Sequence, residues 1–292
     1  MIRPSTFSIV AYSPEEESWG VAVASKFLAV GAFVPWAHAG AGAVATQSYV
    51  NTSFGPHGLE LMASGLTAQE ALDQLIAEDE GRALRQVGLV DARGGSAAYT
   101  GSGCYAWAGQ TSGRFFTCQG NILVSAETVQ AMARTFEQAK GELSDRLVTA
   151  LAAGEKAGGD SRGRQSAAVL VVKPKGGYGG FNDRYLDLRV DDDPQPVQRL
   201  QALLQLHHLY FGESAPEERI RIEGPLAIEI QRLLIRLGYL RGEPSGIYDE
   251  ATRHAFEVFT GTENLEERCQ LADGTLDPPA LDYIRQRFGT SK

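Results

Sequence analysis

Short blocks of apolar and polar residues alternate over the first fifty positions, which is typical of strands. A strand is predicted at 6–12, and a polar turn separates it from the nearly all-apolar run 19–25. An apolar run without alternation indicates a strand buried on both faces, as in a sheet between two layers. Further short strands are predicted at 30–36 and 41–46.

The period of the pattern changes to helical spacing near Pro56, and Thr67 is a suitable N-cap within that segment. Beyond it we predict strands, two helices, two strands and a peripheral helix. The strands lie at 85–91, 96–100, 166–172 and 185–190, and the helices at 126–136, 143–157 and 194–211. A glycine-rich stretch lies at 101–120, and within it Cys104 and Cys118 flank a predicted hairpin. This order favours an α+β domain in which two helical layers enclose two packed sheets.

The stretch 212–216 has the composition of a linker, and the pattern after it is helical. A chain of 292 residues can form one large core and a smaller one. We therefore predict two domains, 1–212 and 213–292.

The formal net charge of −9 argues against nucleic-acid binding, which needs concentrated Lys and Arg. No run of 18 apolar residues is present, and the first apolar run is too short for a signal-peptide core. Three cysteines without metal-type spacing suit a reducing compartment. We expect a cytoplasmic protein that contacts neither nucleic acid nor membrane.

No metal or cofactor is expected. Consecutive carboxylates such as Asp191, Asp192 and Asp193 point in different directions along a strand, so they indicate a solvated strand end. His38 and His57 have no evident Ser or Cys partner and are interpreted as structural or surface residues.

Several long strings resemble a known family in their order along the chain. They are TFSIVA at 6–11, GVAVASKFLAVG at 20–31, GAVATQ at 42–47, QGNIL at 119–123, GGDSRGRQS at 158–166 and LRVDD at 188–192. The family they resemble is the domain of unknown function 1028, which is regarded as similar to N-terminal-nucleophile hydrolases. The resemblance implies a four-layer αββα sandwich of the proteasome β-subunit type. Such sandwiches often self-associate, so we expect a homo-oligomer.

The same resemblance implies a site. Thr6 lies where the nucleophile heads the first strand, and its own α-amine would be the base. Lys26, at the end of the second strand, would lower a neighbouring pKa. Asn121, Asp160 and Ser166 match supporting positions. An internal Thr6 has no free α-amine, so either the Ser5–Thr6 bond is cleaved, or the mechanism differs from that of the family, or the site is inert.

Around these residues, backbone N–H groups near Thr46 and Gln47 could form an oxyanion hole. Arg162 and Gln165 are expected to line the substrate site. The polar residues of the segment 158–166, which contains both, could equally well form a structural hydrogen-bond network.

The end of the chain resembles peptidoglycan-binding domains over 219–288. The strings that carry this resemblance are IQRLLIRLGY at 230–239, GIYDEATRHAF at 246–256 and ENLEER at 263–268. Gly238 is suited to end one helix, and Asp249 to cap the next. The resemblance implies a small all-α domain of three helices.

Two functions follow from these observations. The first is an amide-bond hydrolase acting on a small-molecule or peptide-like amide, with a muropeptide as one substrate that would unite both domains. The alternative is a non-catalytic binding or assembly protein, whose helical module contacts a glycan, a peptide or another protein.

Overall fold

A computed structural model describes residues 6–212 and 214–289. By internal contacts the chain forms two compact units, Met1–Leu204 and Gln205–Lys292. The described residues contain eight α-helices and antiparallel sheets, so the predicted α+β class and the C-terminal helical region are confirmed. The contact boundary falls inside the peripheral helix, and the predicted domain boundary after residue 212 stays a prediction.

The first unit is built on two antiparallel sheets. One has six strands in the order β10-β9-β2-β1-β8-β7, and the other has four in the order β3-β4-β5-β6. Their bounds are β1 Thr6–Ser13, β2 Ser18–Ser25, β3 Pro35–His38, β4 Gly42–Ser48, β5 Arg85–Asp91, β6 Ser96–Thr100, β7 Gly109–Gly113, β8 Phe116–Asn121, β9 Ser166–Val172 and β10 Arg184–Val190.

Five helices accompany these strands: α1 Phe54–Ala63, α2 Ala68–Glu78, α3 Glu127–Gln138, α4 Leu143–Lys156 and α5 Pro196–Phe211. Thr67 caps α2 as predicted. Its side chain accepts from the backbone N–H of Glu70, whose carboxylate accepts from the N–H of Thr67, so both exposed donors are satisfied.

Three apolar layers hold the unit together. Phe7 and Ile9 of β1 pack with Leu147 and other residues of α3 and α4 on one face of the six-stranded sheet. Between the sheets lie Val10, Val21, Val23, Ala45 and Val90, and α1 and α2 cover the outer face of the four-stranded sheet through Val44, Leu72, Leu75 and Leu89. The order of layers is therefore helices, sheet, sheet, helices.

The structure adds strand bounds to one prediction in the first unit and contradicts another. The stretch 101–120 holds strands β7 and β8, and β8 pairs with β1 in the middle of the sheet. The Thr, Gln and Asn residues of β8 face the space between the sheets and break the apolar pattern. The bounds of this strand could therefore not be predicted from the sequence. The segment 30–36 is a 3₁₀ turn at Val30–Ala32 followed by β3, which begins at Pro35.

The second unit contains α6 Gly224–Leu237, α7 Glu250–Thr262 and α8 Pro278–Phe288. Gly238 ends α6 at φ 84°, where glycine is favoured, and the side chain of Asp249 accepts from the N–H of Thr252 at 2.8 Å to cap α7. The unit is not all-α as predicted. Three two-residue strands, β11 Ile220–Arg221, β12 Cys269–Gln270 and β13 Thr275–Leu276, form a small sheet that is too short to leave a periodic pattern.

Within the described ranges, none of the helices combines the length and apolarity that crossing a bilayer requires.

The three cysteines differ in burial, and we predict that they differ in reactivity. Burial raises the pKa of Cys118 well above its usual value and that of Cys269 to about 12, whereas Cys104 is part-exposed. Iodoacetamide on the native protein at pH 8, read out by peptide mass spectrometry, should label Cys104 first and the other two only after denaturation. Early labelling of Cys118 would contradict the described packing.

Candidate functional site

The space between the two sheets is apolar toward one end and polar at the other. Side chains alternate along β1, so Phe7 and Ile9 face the helices while Thr6 and Ser8 face the opposite sheet. On β8, Gln119 and Asn121 face the same way. All four of these polar residues are buried. Strand alternation therefore builds the polar end, because it turns these polar residues of β1 and β8 toward the opposite sheet.

These residues form hydrogen bonds within their own sheet and with the opposite sheet. Ser8 Oγ donates to Gln47 Oε1 at 2.7 Å and accepts from Gln119 Nε2 at 2.7 Å. Gln119 also requires Gly88 on β5, because a Cβ there would lie 2.3 Å from Gln119 Oε1.

Gln86 on β5 is the centre of this network and is 0 % exposed. Its Oε1 accepts from Gln47 Nε2 and Asn121 Nδ2, both at 2.9 Å. Its Nε2 donates to the Gly120 carbonyl at 2.7 Å and to Thr100 Oγ1 at 2.9 Å. One side chain thus connects both sheets and holds the amide of Asn121 in place.

Thr6 begins β1 at this polar end. Its hydroxyl donates to Ser25 Oγ at 3.3 Å, and its carbonyl accepts from Gln47 Nε2 at 3.4 Å. Asn121 is its register partner on β8. The predicted nucleophile is therefore next to Ser25 and Gln47, and the first of these was not predicted as a site residue.

Asp160 lies in the loop after α4, and 1 % of its side chain is exposed. Its carboxylate accepts from the backbone N–H of Lys26 at 2.7 Å and from that of Arg162 at 2.9 Å. The Arg162 guanidinium adds contacts at 3.2 and 3.0 Å. Asp160 therefore fixes the end of β2, and its charge is balanced by Arg162.

Lys26 and Ser166 flank the same loop. The Lys26 side chain is exposed, and its Nζ donates to the Arg164 carbonyl at 3.2 Å. Ser166 is buried. Its hydroxyl donates to the Phe27 carbonyl and accepts from the Val30 N–H at 3.1 Å, so it orders the segment after β2.

The residues predicted to surround the site have the following contacts. The backbone N–H of Thr46 donates to the Val34 carbonyl at 3.2 Å, and its hydroxyl donates to the Asn51 carbonyl at 3.1 Å. Gln165 Nε2 donates to Asp192 Oδ1 at 3.1 Å. The catalytic and substrate-lining roles assigned from sequence stay predictions.

Backbone strain is present at this end. Ile122 follows β8 at φ 50°, Ser48 ends β4 at φ 69°, and Ala29 follows β2 at φ 52°. A left-handed conformation is most unfavourable for a β-branched residue, so Ile122 is a genuine outlier. Its carbonyl is held by the N–H and hydroxyl of Ser161 at 3.0 and 2.8 Å. Strain that is held in place in this way is concentrated at functional sites.

A cavity of about 280 Å³ opens beside these residues. Among its lining residues are Phe7, Ser25, Glu155, Asp160 and Arg164. Ser25, which lines the cavity, also accepts a hydrogen bond from the Thr6 hydroxyl.

Glu155 lines this cavity, and the sequence did not indicate it. It lies in the last turn of α4, where the helix dipole disfavours a carboxylate, and 11 % of its side chain is exposed. Burial raises its pKa, and Arg164, whose Nε lies 3.5 Å away, lowers it in part. A poorly compensated carboxylate in a cavity is a feature of functional sites.

We predict that Glu155→Gln stabilises the protein at pH 7. A pKa raised in the folded state means that the stability associated with this group is present below its unfolded pKa, near 4.5, and is lost as pH rises through the folded pKa. Urea unfolding should therefore show a more stable variant at pH 7 and a smaller difference at pH 4. Glu60→Gln, at an exposed position of α1, is the control. A variant less stable than the parent at pH 7 would mean that the Arg164 pair outweighs the desolvation.

Comparison with known proteins places both units in known groups of sequences. Residues 6–200 match the profile described as "Family of unknown function (DUF1028)", and residues 210–284 match one described as "Putative peptidoglycan binding domain". The crystal structure of protein SPO2555 from Silicibacter pomeroyi, assigned to the first of these families, is 31% identical with a TM-score of 0.65. The similarity covers 71% of this chain and 88% of that one. No curated protein sequence gave a match.

Proposed function

We propose that this chain, which belongs to the family of unknown function DUF1028, is an amide-bond hydrolase of the N-terminal-nucleophile type. The observation that carries the proposal is the position of Thr6 at the start of β1, buried at the polar end between two sheets. The four-layer order of helices and sheets supports it, because nucleophiles of this type head the first strand of such a sandwich.

In the proposed mechanism, cleavage of the Ser5–Thr6 bond frees the α-amine of Thr6. That amine takes the hydroxyl proton while Oγ1 attacks the substrate carbonyl carbon, and the C–N bond breaks as the leaving amine receives the proton. Water then hydrolyses the ester on Thr6 and releases the acid.

The neighbouring residues have supporting roles in this scheme. Ser25, whose hydroxyl lies 3.3 Å from Thr6 Oγ1, orients the nucleophile. Asp160 fixes the segment that carries Lys26, and Gln86 positions the amide of Asn121. The cavity beside Ser25 would receive the part of the substrate next to the scissile bond.

Intact-mass spectrometry of the purified chain tests the first requirement of the proposal. We expect a mass that corresponds to residues 6–292, and an N-terminal threonine on sequencing. The same preparation should hydrolyse members of a panel of N-acyl amino acids and aminoacyl 4-nitroanilides. A chain that retains residues 1–5 and hydrolyses none of them would refute the hydrolase.

A second function is favoured by the profile match at residues 210–284. We propose that the second unit attaches the protein to peptidoglycan or its fragments. Co-sedimentation with purified sacculi is the test, and a truncation that ends at residue 204 is the control. Equal sedimentation of the two chains would refute this function.

A further inference from the structure

A groove on the second unit lies between α6 and α8 and has a volume of about 330 Å³. Its apolar surface is formed by Ile228, Leu233, Ile284 and Phe288. Small-ligand sites are largely apolar and begin at about 300 Å³. The groove therefore has room for the end of a short peptide.

The rim of this groove is positively charged. Arg285 forms two contacts of 2.8 Å with Glu229, so these two charges compensate each other. Arg236 donates to the Phe288 carbonyl and forms no ion pair with another described residue. Arg232 is exposed and makes no ion pair or side-chain hydrogen bond within residues 6–212 and 214–289.

Arg232 and Arg236 can act on one ligand. Residues four positions apart lie on the same face of a helix, so both guanidinium groups border the groove from α6. Each presents a planar set of donors that matches a carboxylate. The combination of apolar surface and two uncompensated guanidinium groups is complementary to a short peptide that carries carboxylates and small apolar side chains.

We propose that this groove binds the carboxylate-bearing peptide stems of peptidoglycan and not its glycan strands. The inference rests on the second proposed function and assigns its binding residues. A stem peptide offers carboxylates to Arg232 and Arg236, and methyl groups to Ile228 and Leu233. A glycan strand of N-acetylated sugars is less complementary to a groove that combines an apolar surface with two arginines.

The test uses the full chain and two soluble probes. One is the synthetic pentapeptide L-Ala-γ-D-Glu-L-Lys-D-Ala-D-Ala, and the other is the tetrasaccharide of N-acetylglucosamine. We expect calorimetry to show binding of the peptide and none of the tetrasaccharide. Arg232→Glu should weaken peptide binding by about fivefold or more, because it replaces an attractive exposed charge with a repulsive one.

Arg253→Glu is the matched control, since it makes the same charge change at an exposed position of α7 that does not line the groove. It should leave peptide affinity within about twofold. Equal effects of the two variants would overturn the assignment of the groove, because they would reveal only the net charge of the chain.

The sedimentation assay separates the two levels of the proposal. Sacculi that retain the full chain while the pentapeptide fails to bind would overturn the peptide-stem inference and leave the second function standing. If the tetrasaccharide binds and Arg232→Glu does not change its affinity, the peptide-stem inference is again overturned and the second function stands. If neither sacculi nor the pentapeptide bind, both proposals fall.

Discussion

Thr6→Ala is expected to abolish amide hydrolysis, with a loss in kcat of about 1,000-fold or more, because it removes the nucleophile. The substitution deletes a hydroxyl whose described hydrogen bond is the one to Ser25 at 3.3 Å. Thr6→Ser keeps a hydroxyl at the same position and should retain measurable turnover. Steady-state kinetics on the most reactive substrate of the panel is the measurement.

Thr6→Ala also tests whether Thr6 cleaves the Ser5–Thr6 bond. If Thr6 Oγ1 cleaves its own preceding bond, the mass of Thr6→Ala will include residues 1–5, whereas Thr6→Ser will still be processed. Ser144→Ala is a matched control, since it also deletes a buried hydroxyl. Ser144 lies in α4, and its hydroxyl forms no hydrogen bond within the described residues. Undiminished turnover of Thr6→Ala would show that the nucleophile lies elsewhere.

Gln86→Leu is expected to lower the free energy of unfolding by about 3 kcal/mol or more. The leucine has similar volume but removes the hydrogen bonds that Gln86 forms with Gln47 Nε2, Asn121 Nδ2 and the Gly120 carbonyl, all inside the protein. Each hydrogen bond lost in the interior destabilises the folded state by about 1 kcal/mol or more. Urea denaturation followed by fluorescence measures the difference.

Gln74→Leu is the matched control for this variant, because it makes the same replacement at an exposed position of α2. Its effect should stay within about 0.5 kcal/mol. The Gln86 variant has a second use. If hydrolysis is established, its residual turnover measures how far the network positions Asn121. A Gln86→Leu protein as stable as the parent would mean that the network is not a structural requirement.

The elements that the sequence predicted well are those whose pattern is local. The strands 85–91, 96–100 and 166–172 have the predicted bounds, and Thr67 caps α2 through a neighbour three residues away. The bounds of β8 could not be predicted for the opposite reason. Half of its residues are polar, and their partners lie on β7, β1 and the opposite sheet, which no local pattern reveals.

Features of the candidate site also differ in whether the sequence could predict them. The position of Thr6 at the head of β1, and of Lys26 just after β2, could be predicted along the chain. The direction of the side chains could not be predicted. In the structure Lys26 Nζ donates to the Arg164 carbonyl, and it is Ser25 that contacts the Thr6 hydroxyl. Glu155 gave no sequence signal, because an acidic residue near a helix end is ordinary until its burial is known.

The sequence by itself determined the α+β class, the two regions of the chain and the resemblance that points to Thr6, since these follow from periodicity and from strings of neighbouring residues. Only the tertiary structure decided which polar residues meet between the sheets. Ser8 and Gln119 are neighbours within one sheet, and Gln47 and Gln86 within the other. The bond between Ser8 and Gln47 forms only when the two sheets pack. Each of them can be buried because the others satisfy its hydrogen bonds.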